Sequence, residues 1–279
     1  MKIESVMTHV ISSTLETPFG MSQWNWDARS SCLVEIRTDD GLIGWGECFG
    51  PAQANRALID SVFSPLLVGR DPLEAVDLWD QLYNRNREWG RKGVSIAAIS
   101  GIEIALWDIA GKASGLPIWR MLGGRDLGEV HSYASGFYYA GDWAGDLEGE
   151  AASLLALGYT DFKMKVGADL STDIDRVHRV RAAIGPNAGL AADANRGYTT
   201  AEARRFLRET DDDALWFFEE PVLPEDLAGY RELREVAPIP SQAGSRNSLA
   251  GVSASCSNRA LSTSCSLMRQ RAAASARPS

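Results

Sequence analysis

The sequence has few cysteines, no long apolar segment and none of the glycine-rich loops that bind phosphates. Its four cysteines never form a CxxC pair, which favours a reduced, cytoplasmic protein. No apolar run approaches the ~18 residues that cross a bilayer, and the N-terminus lacks the apolar region of a secretory signal. No GxGxxG or P-loop pattern is present, so a doubly wound, nucleotide-type binding protein has no motif to support it.

Acidic residues outnumber basic residues, 37 to 28, and give a formal net charge of −9. This balance argues against nucleic acid or an anionic membrane as a partner. Residues 245–279 differ from the rest, because they contain no acidic residue, lysine or aromatic residue and carry five arginines. They are rich in serine and alanine and show neither helical nor strand periodicity, so we expect a disordered tail.

The first 244 residues show two different patterns of secondary structure. Residues 1–127 carry strand signals followed by helical segments, which predicts an α+β domain with a deeply buried helix at 93–114. Residues 128–244 alternate strands with helices, which predicts a parallel sheet, either doubly wound or a (β/α)8 barrel. A closed barrel has eight strands, whereas residues 128–244 contain four β/α units and the start of a fifth. We therefore predict a partial barrel of about four to five strands.

Polar side chains gather where three successive predicted barrel strands end. They are Lys163, Lys165, Asp193, Asn195 and Glu219. Catalytic groups of β/α barrels lie at these strand ends. Two carboxylates suit Mg²⁺, and paired lysines beside a cation lower the pKa of an amine, so that one lysine can act as a base. The set predicts Mg²⁺-dependent removal of a proton beside a carboxylate, through an enediolate.

The motifs around these residues resemble the mandelate racemase and muconate lactonizing enzyme family of the enolase superfamily, in which a lysine base with Mg²⁺ is an established pattern. They include LVEIRTDDGLIGWGE, FKMKVG, ADANRGYT and WFFEEPVLPEDLAGY, and the resemblance covers residues 1–244. It implies an α+β capping domain followed by a TIM-type barrel. It also implies Lys165 as the base, Lys163 as its electrostatic partner, and Asp193 and Glu219 as metal ligands.

The resemblance further implies supporting residues and a substrate class. Asn195 and Glu220 would support the metal ligands, or in the case of Asn195 touch the substrate. The capping domain would select the substrate through Thr17, Phe19, Trp24 and Glu47. The segments TPFG, WGECFGPA and EEPVLPEDL are most similar to the acid-sugar enzymes of the family, cycloisomerases of galactarolactone type and sugar-acid dehydratases. A small sugar acid or its lactone is the implied substrate, and a homo-oligomer is the implied state of the full-length parent.

The resemblance breaks after Gly244. The family continues with AGE, whose glutamate is the third metal ligand, whereas this chain has Ser245. We hypothesise a reading-frame error, because loss of one G from codons for Ala-Gly-Glu yields Ala-Gly-Ser-Arg. When compatible codons are chosen for residues 245–279 and read in the original frame, the translated sequence again contains motifs similar to those of the family. We therefore expect weak Mg²⁺ binding, poor solubility and little turnover, since a half barrel leaves two sheet edges open.

Two other interpretations of the sequence stay open. The chain could be a non-catalytic homologue that uses its capping domain only to associate with a full-length partner. It could also be an unrelated doubly wound α/β binding protein, an interpretation that gives the strand-end charges no role.

Overall fold

The computed structural model describes residues 1–126, 128–139 and 145–236, together with the backbone of Ser241–Gln242. The chain forms two compact units. Among the described residues, 1–14 and 28–126 belong to the first unit, whereas Leu15–Asp27 joins the residues between Gly128 and Gln242 in the second. The predicted disordered tail, residues 245–279, lies outside the described residues.

A three-stranded sheet, in the order β1-β2-β3, begins the chain. Its strands are β1 (Ile3–Gly20), β2 (Asn25–Thr38) and β3 (Ile43–Cys48). Strands β2 and β3 pair antiparallel across the predicted turn at Asp39-Asp40-Gly41, and the buried thiols of Cys32 and Cys48 lie on directly opposed residues. β1 is longer than predicted, and its last residues lie in the second unit.

Helices follow the sheet in the first unit. They are α1 (Ala52–Leu58), a π-helical turn (Ile59–Phe63), α2 (Ser64–Leu67), α3 (Ala75–Asn86), α4 (Val94–Ser114) and α5 (Ile118–Met121). The predicted buried helix is confirmed as α4, which packs on β3. The two backbones approach closely at Gly46, where an added Cβ would lie 1.9 Å from the carbonyl oxygen of Gly101.

Among the described residues, α4 is the one helix that is long and apolar enough to cross a membrane by length and composition. The sequence showed no unbroken apolar run there because Glu103, Asp108 and Lys112 interrupt it. Nine residues of α4 are buried in the first unit, which is typical of the core helix of a globular domain.

The second unit alternates strands and helices as predicted. Its elements are β4 (Ala134–Gly136), α6 (Leu147–Ala156), β5 (Asp161–Lys165), α7 (Leu170–Ile184), β6 (Gly189–Asp193), α8 (Thr200–Glu209), β7 (Phe218–Glu219), α9 (Leu227–Val236) and β8 (Ser241–Gln242). The five strands are parallel and lie in chain order. A doubly wound sheet reverses its strand order at a switch point, so the sequential order indicates part of a β/α barrel.

The apolar core of the second unit lies between one sheet face and its helices. Phe162 and Met164 of β5 are fully buried there, together with Phe206 of α8 and Phe218 of β7, whose rings stack 4.9 Å apart. Side chains alternate along a strand, so Lys163 and Lys165, which alternate with Phe162 and Met164, lie on the opposite face. The strands therefore separate a hydrophobic face from a charged one.

Candidate active site

The carboxyl ends of the barrel strands carry unusual backbone conformations. Positive φ angles occur at Phe137 after β4 (52°), Gly167 after β5 (99°), Asn195 and Arg196 after β6 (45° and 68°), and Glu220 after β7 (42°). For residues other than glycine such conformations cost about 1–3 kcal/mol each, and they cluster at functional sites. The strained residues therefore indicate a functional site at this end of the sheet.

Four of the predicted residues meet at this end in one ion-pair cluster. Lys165 Nζ donates to Asp193 Oδ2 at 2.6 Å, and Lys163 Nζ donates to Glu219 Oε2 at 2.6 Å. Lys163 Nζ also lies 3.8 Å from Asp193 Oδ2, so both ammonium groups approach the same oxygen. The register explains the contact, because Lys165 is opposite Asp193 and Asp193 is opposite Glu219 on neighbouring strands.

A third ion pair adjoins the cluster. Arg196 Nε lies 3.2 Å from Glu220 Oε2, and the Arg196 backbone N–H donates to the Glu220 carbonyl oxygen at 2.7 Å. Three carboxylates are thus balanced by three cations among the described residues of this cluster. Sequence analysis did not identify Arg196. Its position directly after Asp193-Ala194-Asn195 was the signal that could have identified it.

Asn195 orients the Asp193 carboxylate. The Asn195 backbone N–H donates to Asp193 Oδ1 at 2.9 Å, and its side-chain Nδ2 donates to Asp193 Oδ2 at 3.2 Å. Asn195 Oδ1 is buried and accepts no hydrogen bond from the described residues. An unsatisfied buried acceptor beside a carboxylate cluster is the kind of atom that an ion, a water or a ligand completes.

The carboxylates of the cluster set the direction of the Lys163 pKa. Burial alone would lower the pKa of this amine, but the adjacent Glu219 and Asp193 carboxylates outweigh burial and raise it. A raised pKa keeps Lys163 protonated, which agrees with its expected part as the electrostatic partner of the base. The expectation that one lysine of the pair loses its proton beside a cation concerns the metal-bound site and stays a prediction.

Aromatic rings cover both lysines, a feature that sequence analysis did not identify. Lys163 Nζ lies 5.6 Å from the ring centre of Tyr133, and Lys165 Nζ lies 5.5 Å from that of Tyr138. The predicted residue Phe19 packs edge-on against Tyr138 at 4.9 Å. These rings limit the access of water to the amines, and the side chain of Lys165 is only 10% exposed.

The segment Leu15–Asp27, here called the tip segment, lies across the same strand ends. Ser22 Oγ donates to the Ala194 carbonyl oxygen at 2.9 Å, and Gln23 Nε2 donates to that of Arg196 at 3.2 Å. The Arg196 guanidinium stacks 5.8 Å from the ring centre of the predicted residue Trp24. The tip segment thus brings Phe19 and Trp24 beside the charged cluster.

Thr17 and Glu47 are the two remaining predicted residues. Thr17 is exposed on the tip segment. Glu47 lies on β3 in the first unit, where it accepts a hydrogen bond from Ser31. Their part in substrate selection stays a prediction.

The oxygen atoms at this site are of the chemical type that binds a hard divalent cation. Asp193 and Glu219 offer carboxylate oxygens from adjacent strands, and Asn195 Oδ1 offers an amide oxygen without a hydrogen bond. Oxygen ligands of this type are those that Mg²⁺ prefers. No group of three or more acidic, histidine or cysteine side chains that could hold a metal occurs among the residues that the structure describes.

Comparison with known proteins places the chain in a family. Residues 2–123 match the mandelate racemase / muconate lactonizing enzyme N-terminal domain, and residues 146–249 match the enolase C-terminal domain-like family. The D-galactarolactone cycloisomerase of Agrobacterium fabrum is 42% identical over 246 residues, which are 88% of this chain and 65% of that protein. The chain therefore belongs to the mandelate racemase and muconate lactonizing enzyme family of the enolase superfamily.

Solved structures are similar over both units. The 3,6-anhydro-D-galactonate cycloisomerase from Zobellia galactanivorans has 36% identity and a TM-score of 0.82, over 91% of this chain and 69% of that one. A racemase from Streptomyces coelicolor A3(2) with bound magnesium has 29% identity and a TM-score of 0.83, over 90% of this chain and 73% of that one. The curated cycloisomerase is matched over slightly less than two thirds of its own length.

Proposed function

We propose that the charged cluster is the active site of a Mg²⁺-dependent enzyme that acts on a sugar acid or its lactone. The reaction removes the proton α to the carboxyl or lactone carbonyl, and the enediolate then undergoes cycloisomerisation or dehydration. The observation that carries this proposal is the contact of Lys163 and Lys165 with carboxylates of the next two strands. The names of the similar cycloisomerases support the substrate class.

Asp193 and Glu219 would hold the ion, with Asn195 beside them. Mg²⁺ would supply the positive charge that stabilises the enediolate as it forms. Both carboxylates contact ammonium groups in this structure, which supports a place for positive charge at these oxygens. We expect weak Mg²⁺ binding, because the position that the family resemblance assigns to a third carboxylate is Ser245, which lies outside the described residues.

Lys165 is the proposed base, and its Nζ would receive the α-proton. To accept a proton, Lys165 must first lose the proton that it donates to Asp193 in this structure, and its amine must face the substrate in a site of restricted water access. Lys165 lies at the carboxyl end of β5 beneath Tyr138, on the side where the tip segment crosses the strand ends. Lys163 lies two residues before Lys165 on the same strand and donates to Glu219. It would keep its proton and contribute positive charge near the carboxylate of the substrate.

Proton exchange with solvent tests this proposal without requiring the complete reaction. The full chain would be incubated in D₂O with D-galactarolactone or D-galactonate, and the α-proton signal followed by ¹H NMR. We expect the signal to disappear only with both protein and Mg²⁺ present, and D-galactose, which lacks a carboxyl group, to show no exchange. Exchange that is no faster with Mg²⁺ and a high protein concentration than in buffer alone would contradict the proposal and favour a non-catalytic homologue.

A further inference from the structure

A second polar cluster lies beneath the proposed active site, centred on Asp173 in the first turn of α7. The Asp173 side chain is fully buried. It accepts hydrogen bonds from the hydroxyls of Tyr139 and Tyr198 and from the backbone N–H groups of Gly167 and Ala168, the last two at 2.8 and 3.0 Å. Four donors on one carboxylate satisfy it almost completely.

The four donors come from the ends of three different strands. Tyr139 follows β4, Gly167 and Ala168 follow β5, and Tyr198 follows β6. Gly167 is two residues beyond Lys165, so the hydrogen bond from its N–H limits how far the end of β5 can move. Asp173 therefore joins, through one side chain, the loops that follow the strands of the proposed base and the proposed metal ligand.

The same cluster reaches the tip segment. The Tyr139 backbone forms two hydrogen bonds with Gly20, at 2.7 and 3.1 Å. Its ring packs against the buried Arg176, whose guanidinium carbon lies 4.6 Å from the ring centre and whose Nη2 donates to the Phe137 carbonyl oxygen at 2.7 Å. Movement of Tyr139 would thus disturb both the strand ends and the segment that crosses them.

Burial of the Asp173 carboxylate is unfavourable for its charged form. Burial raises the pKa of Asp173, and the four donors only partly offset that effect. The carboxylate is nevertheless present where it accepts hydrogen bonds from groups that follow three different strands. Gly167, in turn, cannot be replaced without movement, because a Cβ there would lie 2.3 Å from the Ala194 carbonyl oxygen and the φ angle is 99°.

We propose that Asp173 is a positioning residue for the proposed reaction, one that holds the β5 loop and Tyr139 so that Lys165 keeps its place opposite Asp193. This inference rests on the proposed function. It predicts that weakening the cluster slows the chemical step more than it weakens substrate binding. A displacement of about 1 Å at a reacting group can cost about 10²-fold in rate.

Asp173→Asn tests the proposal, because an amide presents N–H groups where the carboxylate accepts hydrogen bonds. Tyr198→Phe is the milder variant, which removes one donor and serves if D173N does not fold. Val180→Ala is the matched control, since Val180 is fully buried on the same helix and packs only in the apolar core. Two measurements are made on the full chains: α-proton exchange kinetics, and hydrogen–deuterium exchange of the peptide that contains Gly167 and Ala168.

We expect kcat for α-proton exchange to fall about 10²-fold in D173N with little change in KM, and less in Y198F. The amides of Gly167 and Ala168 should exchange faster in both variants but not in V180A. If D173N and Y198F behave like V180A in both measurements, Asp173 is only structural and the inference is wrong. If the wild-type chain shows no α-proton exchange, the proposed function is contradicted instead. The hydrogen–deuterium exchange of the Gly167 and Ala168 amides then decides whether Asp173 holds the loop.

Discussion

Replacement of Asp193 by asparagine should show how strongly the charge balance of the site contributes to folding. The Asp193 side chain is 4% exposed and its partner Lys165 is 10% exposed. Asparagine keeps the shape but leaves Lys165 without its carboxylate partner, whereas Lys163 keeps Glu219. Removal of one partner of a buried ion pair costs about 3–5 kcal/mol. Since domains are typically stable by about 5–15 kcal/mol, this loss would be a large fraction of the total.

Urea denaturation followed by tryptophan fluorescence, in the presence of EDTA, measures this loss. The matched control is Glu232→Gln, which removes a carboxylate from an exposed pair with Arg204, whose side chains are 46% and 41% exposed. We expect the control to lower the free energy of unfolding by at most about 1 kcal/mol. If D193N costs no more than E232Q, the cluster does not behave as a buried ion-pair network and the reasoning fails.

Three further predictions concern other parts of the fold. Burial raises the pKa of Cys48 to about 12, so its thiol should not react with Ellman's reagent at pH 8 in the native chain and should react in urea. In Gly46→Ala the added Cβ would lie 1.9 Å from a backbone oxygen of α4, and we expect the free energy of unfolding to fall by about 3 kcal/mol. In the control Gly41→Ala the added Cβ meets open space, and we expect a loss of about 1 kcal/mol. Urea titration measures both losses. Two hydrogen bonds from Arg179 lower the pKa of Glu148 to about 2. The stabilising effect of this pair should be present at neutral pH and lost as the pH falls from about 4.5 to about 2. NMR titration should show the Glu148 pKa return toward its ordinary value in R179M, and an unchanged value would contradict this assignment.

The strand-end cluster was predictable from the sequence because it depends on two simple periodicities. Alternation along β5 places Lys163 and Lys165 on one face, and the regular alternation of strands and helices places Asp193 and Glu219 on the next two strands. Since parallel strands in chain order bring their carboxyl ends together, local pattern was enough to predict the contact.

The aromatic cover of the site was not predictable in the same way. Tyr138 meets Phe19 across more than one hundred residues, and Trp24 meets Arg196 across more still. These contacts follow from the tip segment belonging to the second unit, which composition and periodicity do not reveal. The direction of the Lys163 pKa also depends on which carboxylates the amine contacts, and the sequence alone does not give those contacts.

Strand boundaries also depend on features that a pattern of residue types does not contain. The sequence suggests a strand over 214–220, but β7 contains only Phe218–Glu219. A 3₁₀ turn at Asp211–Asp213 and a left-handed Ala214 occupy the beginning of that stretch. The predicted strand at 238–244 is described only at Ser241–Gln242.

Lys165 is proposed to accept the α-proton, and a comparison of two lysine variants tests this assignment most directly. The rate of α-deuterium incorporation into D-galactarolactone, at saturating Mg²⁺, would be measured for the wild-type chain, Lys165→Met and Lys163→Met. We predict that K165M loses about 10²–10⁴-fold in rate, as expected for removal of a general base, and that K163M loses less. Wild-type exchange in K165M, or a larger loss in K163M than in K165M, would contradict the assignment of Lys165 as the base.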